Sequence, residues 1–203
     1  MAVVNSPTPL RPMLRAALEQ RPPSSLPPEL GLPAGVLVPV IDGIEPCVMF
    51  TVRTADLSRH PGEISFPGGL VHEGDTDLEA TALRETEEEL GVAASVIDVV
   101  GVLDPLPTFV SSIVIVPFVG ILERRPELSP NPAEIAEVLE FPVARLDEAE
   151  AEVEWTRDGR TWQGFVYEME GKTIWGATGR ILHQLIEILR RAPEEATWTS
   201  SGR

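Results

Sequence analysis

Pro67-Gly68-Gly69 and, fifteen positions after the last glycine, Arg84-Glu85-Thr86-Glu87-Glu88-Glu89-Leu90-Gly91 form the stretch on which the fold and chemistry of this chain turn. Leu78 to Leu90 holds good helix formers throughout, with acidic residues around its start and Gly91 just past its end as a C-cap. The pattern predicts a helix over 78–90. At about 100° per residue, Glu85, Glu88 and Glu89 share roughly a 100° arc of one face. Glu87 points away, and Leu83, Thr86 and Leu90 form a separate stripe that can pack on a sheet. Carboxylates crowded in this way repel by roughly a few tenths of a kcal/mol per pair even on an exposed helix. Two readings compete. An E-x-x-E-E face is most often a solvated acidic surface, and Arg84 can satisfy Glu88 at the i,i+4 spacing. Alternatively the cluster holds Mg²⁺ or Mn²⁺, hard cations that want carboxylate oxygens, with the neighbouring Gly68-Gly69 backbone open to close approach. Side-chain chemistry alone leaves both open.

Outward from this helix, Gly35–Ile41 and Pro46–Arg53 are rich in Val, Ile and Phe and are separated by Asp42-Gly43, a hairpin signal. Leu57–Gly69 is rich in turn residues. Val96–Leu103 and Ile113–Leu122 read as further strands, Ala133–Leu139 as a short helix, and Trp155–Tyr167 as a polar hairpin around Asp158-Gly159. Gly179–Arg191 is an amphipathic helix with Ile181, Leu182, Leu185, Ile188 and Leu189 on one face. Strands and helices in this order predict an α/β sandwich with a mixed β-sheet. Eight of the 20 prolines fall within the first 35 residues, so residues 1–34 read as a proline-rich arm with a short helix over Met13–Gln20. A domain over 35–195 and a tail over 196–203 complete the expected organisation.

The length, 203 residues, suits one domain. A formal charge of −16 repels nucleic acid and anionic lipid, so neither is an expected partner, and a phosphate substrate would need positive charge from a metal ion. The single cysteine, Cys47, cannot form an internal disulfide, which fits a reducing, cytoplasmic location. The longest apolar run, Ile113–Leu122, contains Pro117 and Gly120 and is far short of the roughly 20 residues of a bilayer span. No secretory signal is evident, and the final Ser-Gly-Arg is not a peroxisomal address. Other chemistries fail on spacing. Gly171-Lys172-Thr173 lacks the earlier glycine of a P-loop, no G-x-G-x-x-G or G-x-S-x-G exists, and Asp75, Asp77 and Glu79 lack the glycine and glutamate of a calcium loop.

Gly69, Arg84-Glu85, Glu88-Glu89 and Gly91-Val92 resemble the signature box of the Nudix hydrolases, enzymes that cleave diphosphates linked to another moiety. Phe50-Thr51-Val52-Arg53 through His60-Pro61-Gly62-Glu63-Ile64-Ser65-Phe66-Pro67-Gly68-Gly69 resembles the additional motif of the coenzyme A diphosphatase branch, and likeness extends over about residues 35–190. The resemblance implies a Nudix-type α/β/α sandwich, a divalent cofactor (Mg²⁺ or Mn²⁺), and a small-molecule diphosphate substrate resembling coenzyme A. It implies Glu85 and Glu89 as metal ligands, Glu88 as a third ligand or the base, and the Gly68 carbonyl as an additional ligand. Glu134 is the candidate second base or ligand, with an ordinary acid at a helix N-terminus as the bland alternative. Arg84 orients carboxylates. Arg53 and Arg59 are the candidate phosphate-binding cations near Gly69.

The departures are specific. The general box places a glycine and a glutamate where this chain has Leu70 and Thr76; the glycine falls one residue early, a lengthened loop that the coenzyme A branch shares. The acid supporting Arg84 is therefore ambiguous among Glu73, Asp75 and Asp77. Thr86 replaces an aliphatic residue, Ser58 stands where the branch has arginine, and His72 replaces a frequent acid. The leading expectation is hydrolysis of coenzyme A or its acyl derivatives to 3′,5′-ADP and 4′-phosphopantetheine or its acyl form. The alternatives are a diphosphatase for an ADP-sugar or dinucleotide, and a nucleotide-sensing domain without turnover. Trp175 reads as core or dimer packing, and a homodimer stays open.

Overall fold

Leu32–Ile41 (β1) is apolar on both faces, and a strand of that kind belongs in the middle of a sandwich. Val36, Val38 and Val40 face one core while Leu37 and Ile41 face the other. The computed structural model describes residues 10–26, 30–55, 62–108, 112–157 and 160–191. Ile113–Leu122 (β7) runs parallel to β1 along its full length, from Leu32↔Ile113 to Ile41↔Leu122. Asp98–Val102 (β5) and the short Leu106–Pro107 (β6) pair antiparallel with β7. The sheet is mixed, as the alternation of strands and helices predicts.

On its other edge β1 meets Cys47–Arg53 (β2) only at Val40↔Val48 and Ile41↔Cys47, after which the two strands part. Gly68–Leu70 (β4) fills the gap on the β1 side, with Gly68 opposite Val36 and Gly69 opposite Gly35. Ile64–Ser65 (β3) fills it on the β2 side. The parting of two central strands creates the opening in which the Gly68-Gly69 turn sits.

Leu78–Leu90 (α2) forms where the sequence predicts, capped by Asp77 at its start and by Gly91, at φ 72°, at its end. It covers one face, where Ala82 and Leu90 pack with Leu37, Met49 and Leu122. Gly35 lets it approach closely, since a methyl group there would collide with the Leu78 carbonyl. Leu10–Glu19 (α1) and Gly176–Arg190 (α4) cover the other face, giving the α/β/α sandwich. Val143–Ala149 (α3) leads to an antiparallel sheet of Glu150–Arg157 (β9), Arg160–Met169 (β10) and Lys172–Ile174 (β11). No described helix is long and apolar enough to cross a membrane.

Three expectations change. Residues 133–139 are not a helix: Ile135–Pro142 (β8) is a strand paired with β2, because the open edge of β2 supplies hydrogen bonds that outweigh the helix propensity of Ala, Glu and Leu. A boundary between residues 34 and 35 falls inside β1, and the helix of the proline-rich stretch is no appendage, since Leu10, Met13, Leu14 and Leu18 are buried in the core. The strand expected from Val96 begins at Asp98, after a 3-10 turn over Ala94–Val96. The residues of the tail, Ser6 in the arm, and the Asp158-Gly159 turn lie outside the described residues.

Candidate metal and substrate site

Gly69 lies against the Glu85 carboxylate so closely that a methyl group on it would sit 2.5 Å from Glu85 Oε1. Its neighbour Gly68 has φ 154°, and a methyl group there would come within 2.5 Å of the Gly35 carbonyl oxygen. At Gly68 a side chain would strike backbone, and at Gly69 it would displace the Glu85 carboxylate. The turn that β4 inserts between β1 and β2 thus brings bare backbone to the acidic face of α2.

Arg84 organises this face. Its Nε and Nη2 donate to Asp75 Oδ1 and Oδ2 at 2.9 and 3.1 Å, and its Nη1 lies 2.9 Å from Glu85 Oε1 and 3.1 Å from Glu88 Oε2. Asp75 also accepts from the His72 backbone N–H and from Thr81 Oγ1, both at 2.9 Å. The Arg84 hydrogen bonds, followed by that of His72, hold the Asp75 carboxyl far below the usual carboxylate range. The ambiguity over the acid that supports Arg84 is resolved. Asp77 is occupied as the helix cap, accepting from the Ala80 N–H at 2.8 Å, Glu73 is exposed in the preceding turn, and Asp75 takes the role.

Glu89 is the unusual member of the trio. It is only 4% exposed. Burial pushes its carboxyl up to about 8; Arg53 pulls it down, Glu85 and Glu134 push it further up, and a hydrogen bond from the Gly68 backbone N–H pulls it down. Its Oε2 is buried without a hydrogen-bond partner among the described residues. A buried carboxylate oxygen of this kind is costly unless a proton or a cation meets it. Glu85 is largely covered and Glu88 is 57% exposed.

Glu134, distant in sequence, arrives through the β2–β8 ladder. Its carbonyl accepts from the Thr54 N–H at 2.9 Å, which sets it beside the end of β2, and its Oε1 accepts from Asn131 Nδ2 at 3.1 Å. It stands just before a strand, so the alternative reading of an acid favoured by a helix N-terminus falls away. The structure therefore gathers Arg53, Gly68, Gly69, Arg84, Glu85, Glu89 and Glu134, with Glu88 on the rim. Arg59, like Ser58 and His60, lies outside the described residues.

Among the described residues no three acidic, histidine or cysteine side chains converge tightly enough to enclose an ion as they stand, and Glu85 and Glu88 both lean on Arg84. The donor set nevertheless suits a hard divalent cation: carboxylates on one helix face, carbonyl-bearing bare backbone opposite, and one buried carboxylate oxygen lacking a partner.

A cavity of about 480 Å³ opens along Gly68 and Gly69, within the usual size range of small-molecule pockets. Arg53 lines it together with the two glycines, and so do Trp155, Trp162 and Trp175. Trp175 is 49% exposed and lines this cavity instead of packing in the core. The sequence reading missed Trp155 and Trp162 as pocket residues. Their symmetry about Asp158-Gly159 was the available signal, since it makes them cross-strand partners on one face.

A mixed sheet between helices, with an E-x-x-E-E helix set against a Gly-Gly turn, defines a class: residues 31–163 match the family model described as the NUDIX domain. The chain belongs to the Nudix family and is a hydrolase acting on phosphoanhydride bonds. It is 36% identical over 171 residues to the uncharacterized Nudix hydrolase NudL of Pectobacterium atrosepticum, spanning 82% of this chain and 87% of that protein. The NudL of Cronobacter sakazakii is 34% identical over 180 residues, 87% of each. Among solved structures, a MutT/nudix family protein from Enterococcus faecalis matches with TM-score 0.54, covering 89% of this chain and 70% of that one at 16% identity. The Nudix domain of Shewanella oneidensis NrtR, solved with ADP-ribose, matches with TM-score 0.51, covering 79% and 86% at 18% identity. These likenesses confirm the fold expected from the sequence. Nudix hydrolases generally use divalent metals.

Proposed function

We propose that the chain is a Mg²⁺- or Mn²⁺-dependent diphosphatase whose substrate is coenzyme A or an acyl derivative of it. The observation that carries the metal-dependent reading is the buried, partnerless Glu89 Oε2 beside the Gly68-Gly69 turn, which lines a cavity of small-molecule size. The substrate rests on the resemblance of the stretch from Phe50 to Gly69 to the motif of the coenzyme A branch.

Glu85 and Glu89, with the Gly68 carbonyl, are the residues that would hold the cation. When bound, the cation supplies Lewis-acid polarisation of phosphoryl oxygen and lowers the pKa of water. Water adds to one phosphorus of the anhydride, the bond to the bridging oxygen breaks, and that oxygen leaves on the other phosphate. Glu88, the most exposed of the three glutamates, takes the proton of the attacking water, or completes the ligand set while Glu134 takes it. Arg84 fixes the carboxylate orientations from its anchor on Asp75. Arg53 and Arg59 supply the positive charge that the phosphates need in a chain with net charge −16.

The test is a product analysis by mass after incubation of coenzyme A, acetyl-coenzyme A, ADP-ribose and NADH with the protein and Mg²⁺ or Mn²⁺. The expected result is 3′,5′-ADP from coenzyme A. Cleavage of ADP-ribose or NADH with coenzyme A untouched overturns the substrate and leaves the reaction standing.

A further inference from the structure

Asn131, set between Pro130 and Pro132, bonds through its backbone and through both ends of its side chain. Its backbone N–H donates to the Glu89 carbonyl at 2.9 Å, and its carbonyl accepts from the N–H groups of Glu134 and Ile135 at 3.0 and 2.8 Å. Its Oδ1 accepts from the Ala133 N–H at 3.1 Å, and its Nδ2 donates to Glu134 Oε1 at 3.1 Å. Residues 131–135 thus form one closed turn at the head of β8. An asparagine that opens such a turn with its oxygen is ordinary, and a proline suits the position after it. In the usual capping box, the glutamate three places on reaches back to the backbone N–H of the opening residue. Here that N–H is spent on Glu89, and the side-chain amide of Asn131 takes its place. The turn is closed without this last bond. What the bond does is hold the Glu134 carboxylate.

We propose that Asn131 is a positioning residue for Glu134: its amide fixes one carboxylate oxygen while its backbone ties the turn to the Glu89 end of α2. The proposal rests on the reading above, in which Glu134 serves the reaction as base or ligand, and deepens it. A glutamate side chain has several rotatable bonds, and an unheld carboxylate samples many placements. Asn131 Nδ2 holds the carboxylate itself, while the Thr54 N–H holds the Glu134 carbonyl and Thr54 Oγ1 the Ala133 carbonyl at 3.3 Å. The charge of Glu134 is felt by Glu89, whose carboxyl it pushes up, so the two acids repel. Left free, Glu134 would turn away from its buried neighbour. A neutral donor opposes that movement and leaves the charge of Glu134 intact, which a base or a metal ligand needs. Asn131 does not line the cavity, so it acts through Glu134 alone.

The test uses the full-length protein and two substitutions that keep the turn but lose the amide. Asn131→Asp and Asn131→Ser both retain an oxygen for the Ala133 N–H. The aspartate has no donor for Glu134, and the serine is too short to reach it. The Tm of the metal-free protein should therefore stay close to that of the wild type. Both variants should lower, by about 10- to 100-fold, whichever of kcat and Mn²⁺ affinity Glu134→Ala lowers, with KM held. Beside Glu134→Ala neither should lower it further, since nothing is left for Asn131 to position. In the NMR spectrum of the metal-free protein, the side-chain amide signals of Asn131 should shift in Glu134→Ala. Kinetics are run on coenzyme A, or on whichever of the four compounds above is cleaved, so a wrong substrate leaves the comparison intact. Wild-type kcat and Mn²⁺ affinity in both Asn131 variants overturn the proposal and leave the proposed function standing. Unmoved amide signals, or a loss that persists in full beside Glu134→Ala, do the same. Wild-type values in Glu134→Ala overturn the part given to Glu134 and this proposal with it.

Discussion

Arg84 grips Asp75 with Nε and Nη2 while its remaining nitrogen, Nη1, touches both Glu85 and Glu88. One guanidinium thus ties the loop after β4 to two of the three site glutamates. Asp75→Asn keeps the shape and removes the charge that anchors the arginine. The expected loss is about 10- to 100-fold in metal affinity or kcat, the scale typical of groups that orient metal ligands. Metal titration beside steady-state kinetics checks it, and an unchanged metal affinity and kcat would show that Arg84 needs no anchor.

Removal and return of the metal should be visible in stability. Under the proposed function, the cation meets the Glu89 Oε2 that has no hydrogen-bond partner among the described residues of the folded protein. Mn²⁺ at about 100 times its Kd should stabilise by about 2.7 kcal/mol, a rise of about 5–10 °C in Tm for a protein of this size. Glu89→Gln should abolish that rise without lowering the Tm of the metal-free form. Differential scanning calorimetry with and without EDTA decides.

Gly69→Ala and Gly35→Ala separate site geometry from packing. At Gly69 the added methyl meets the end of the Glu85 side chain, which can swing away, so Tm should hold while kcat falls at least about tenfold. At Gly35 it meets the backbone carbonyl of Leu78, which cannot move without α2, so the cost should be about 1–3 kcal/mol of stability by urea denaturation.

A second charged cluster governs the acid limit of stability. Glu150 accepts from Tyr167 Oη at 2.5 Å, lies 3.0 Å from His183 Nδ1, and accepts from Arg190 Nη1 at 2.8 Å. Burial alone would raise its carboxyl, but these hydrogen bonds outweigh burial and hold it below its ordinary value of 4.5. A depressed folded value contributes stability above the unfolded one, and that contribution is lost as pH falls through the folded value. Glu150→Gln should therefore lower Tm at neutral pH, with the gap to the wild type closing below about pH 4.5. A constant gap across that range would remove Glu150 from the acid limb.

Much of this was legible in advance where a local signal agreed with the fold. Helix α2 is bounded as read because Asp77, the run of helix formers and Gly91 all agree, and β7 because its apolar run has nowhere else to go. The acidic trio on one helix face needed only the helical period. The strand β8 was illegible because Ile135 and Leu139, both buried and four apart, imitate a helical face. Only the pairing with β2, whose register slips between Val52 and Arg53, makes them strand residues. That pairing also delivers Glu134, so the misreading of β8 and the uncertain role of Glu134 had one cause. Asp75 could not be told from Glu73 and Asp77 because the choice depends on the turn geometry around Gly74, at φ 114°.

The buried helix α1 has a practical consequence. The family match covers 31–163, yet Leu14 is fully enclosed, Leu18 lies against Gly101, and Leu182 and Leu185 of α4 close the same core. A protein trimmed to the matched segment would lose both outer helices of that layer and uncover the apolar face of the sheet beneath them. The smallest portion able to stand alone is therefore larger than the portion that family resemblance delineates, and shortening the chain from either side should yield aggregation before it yields a minimal enzyme.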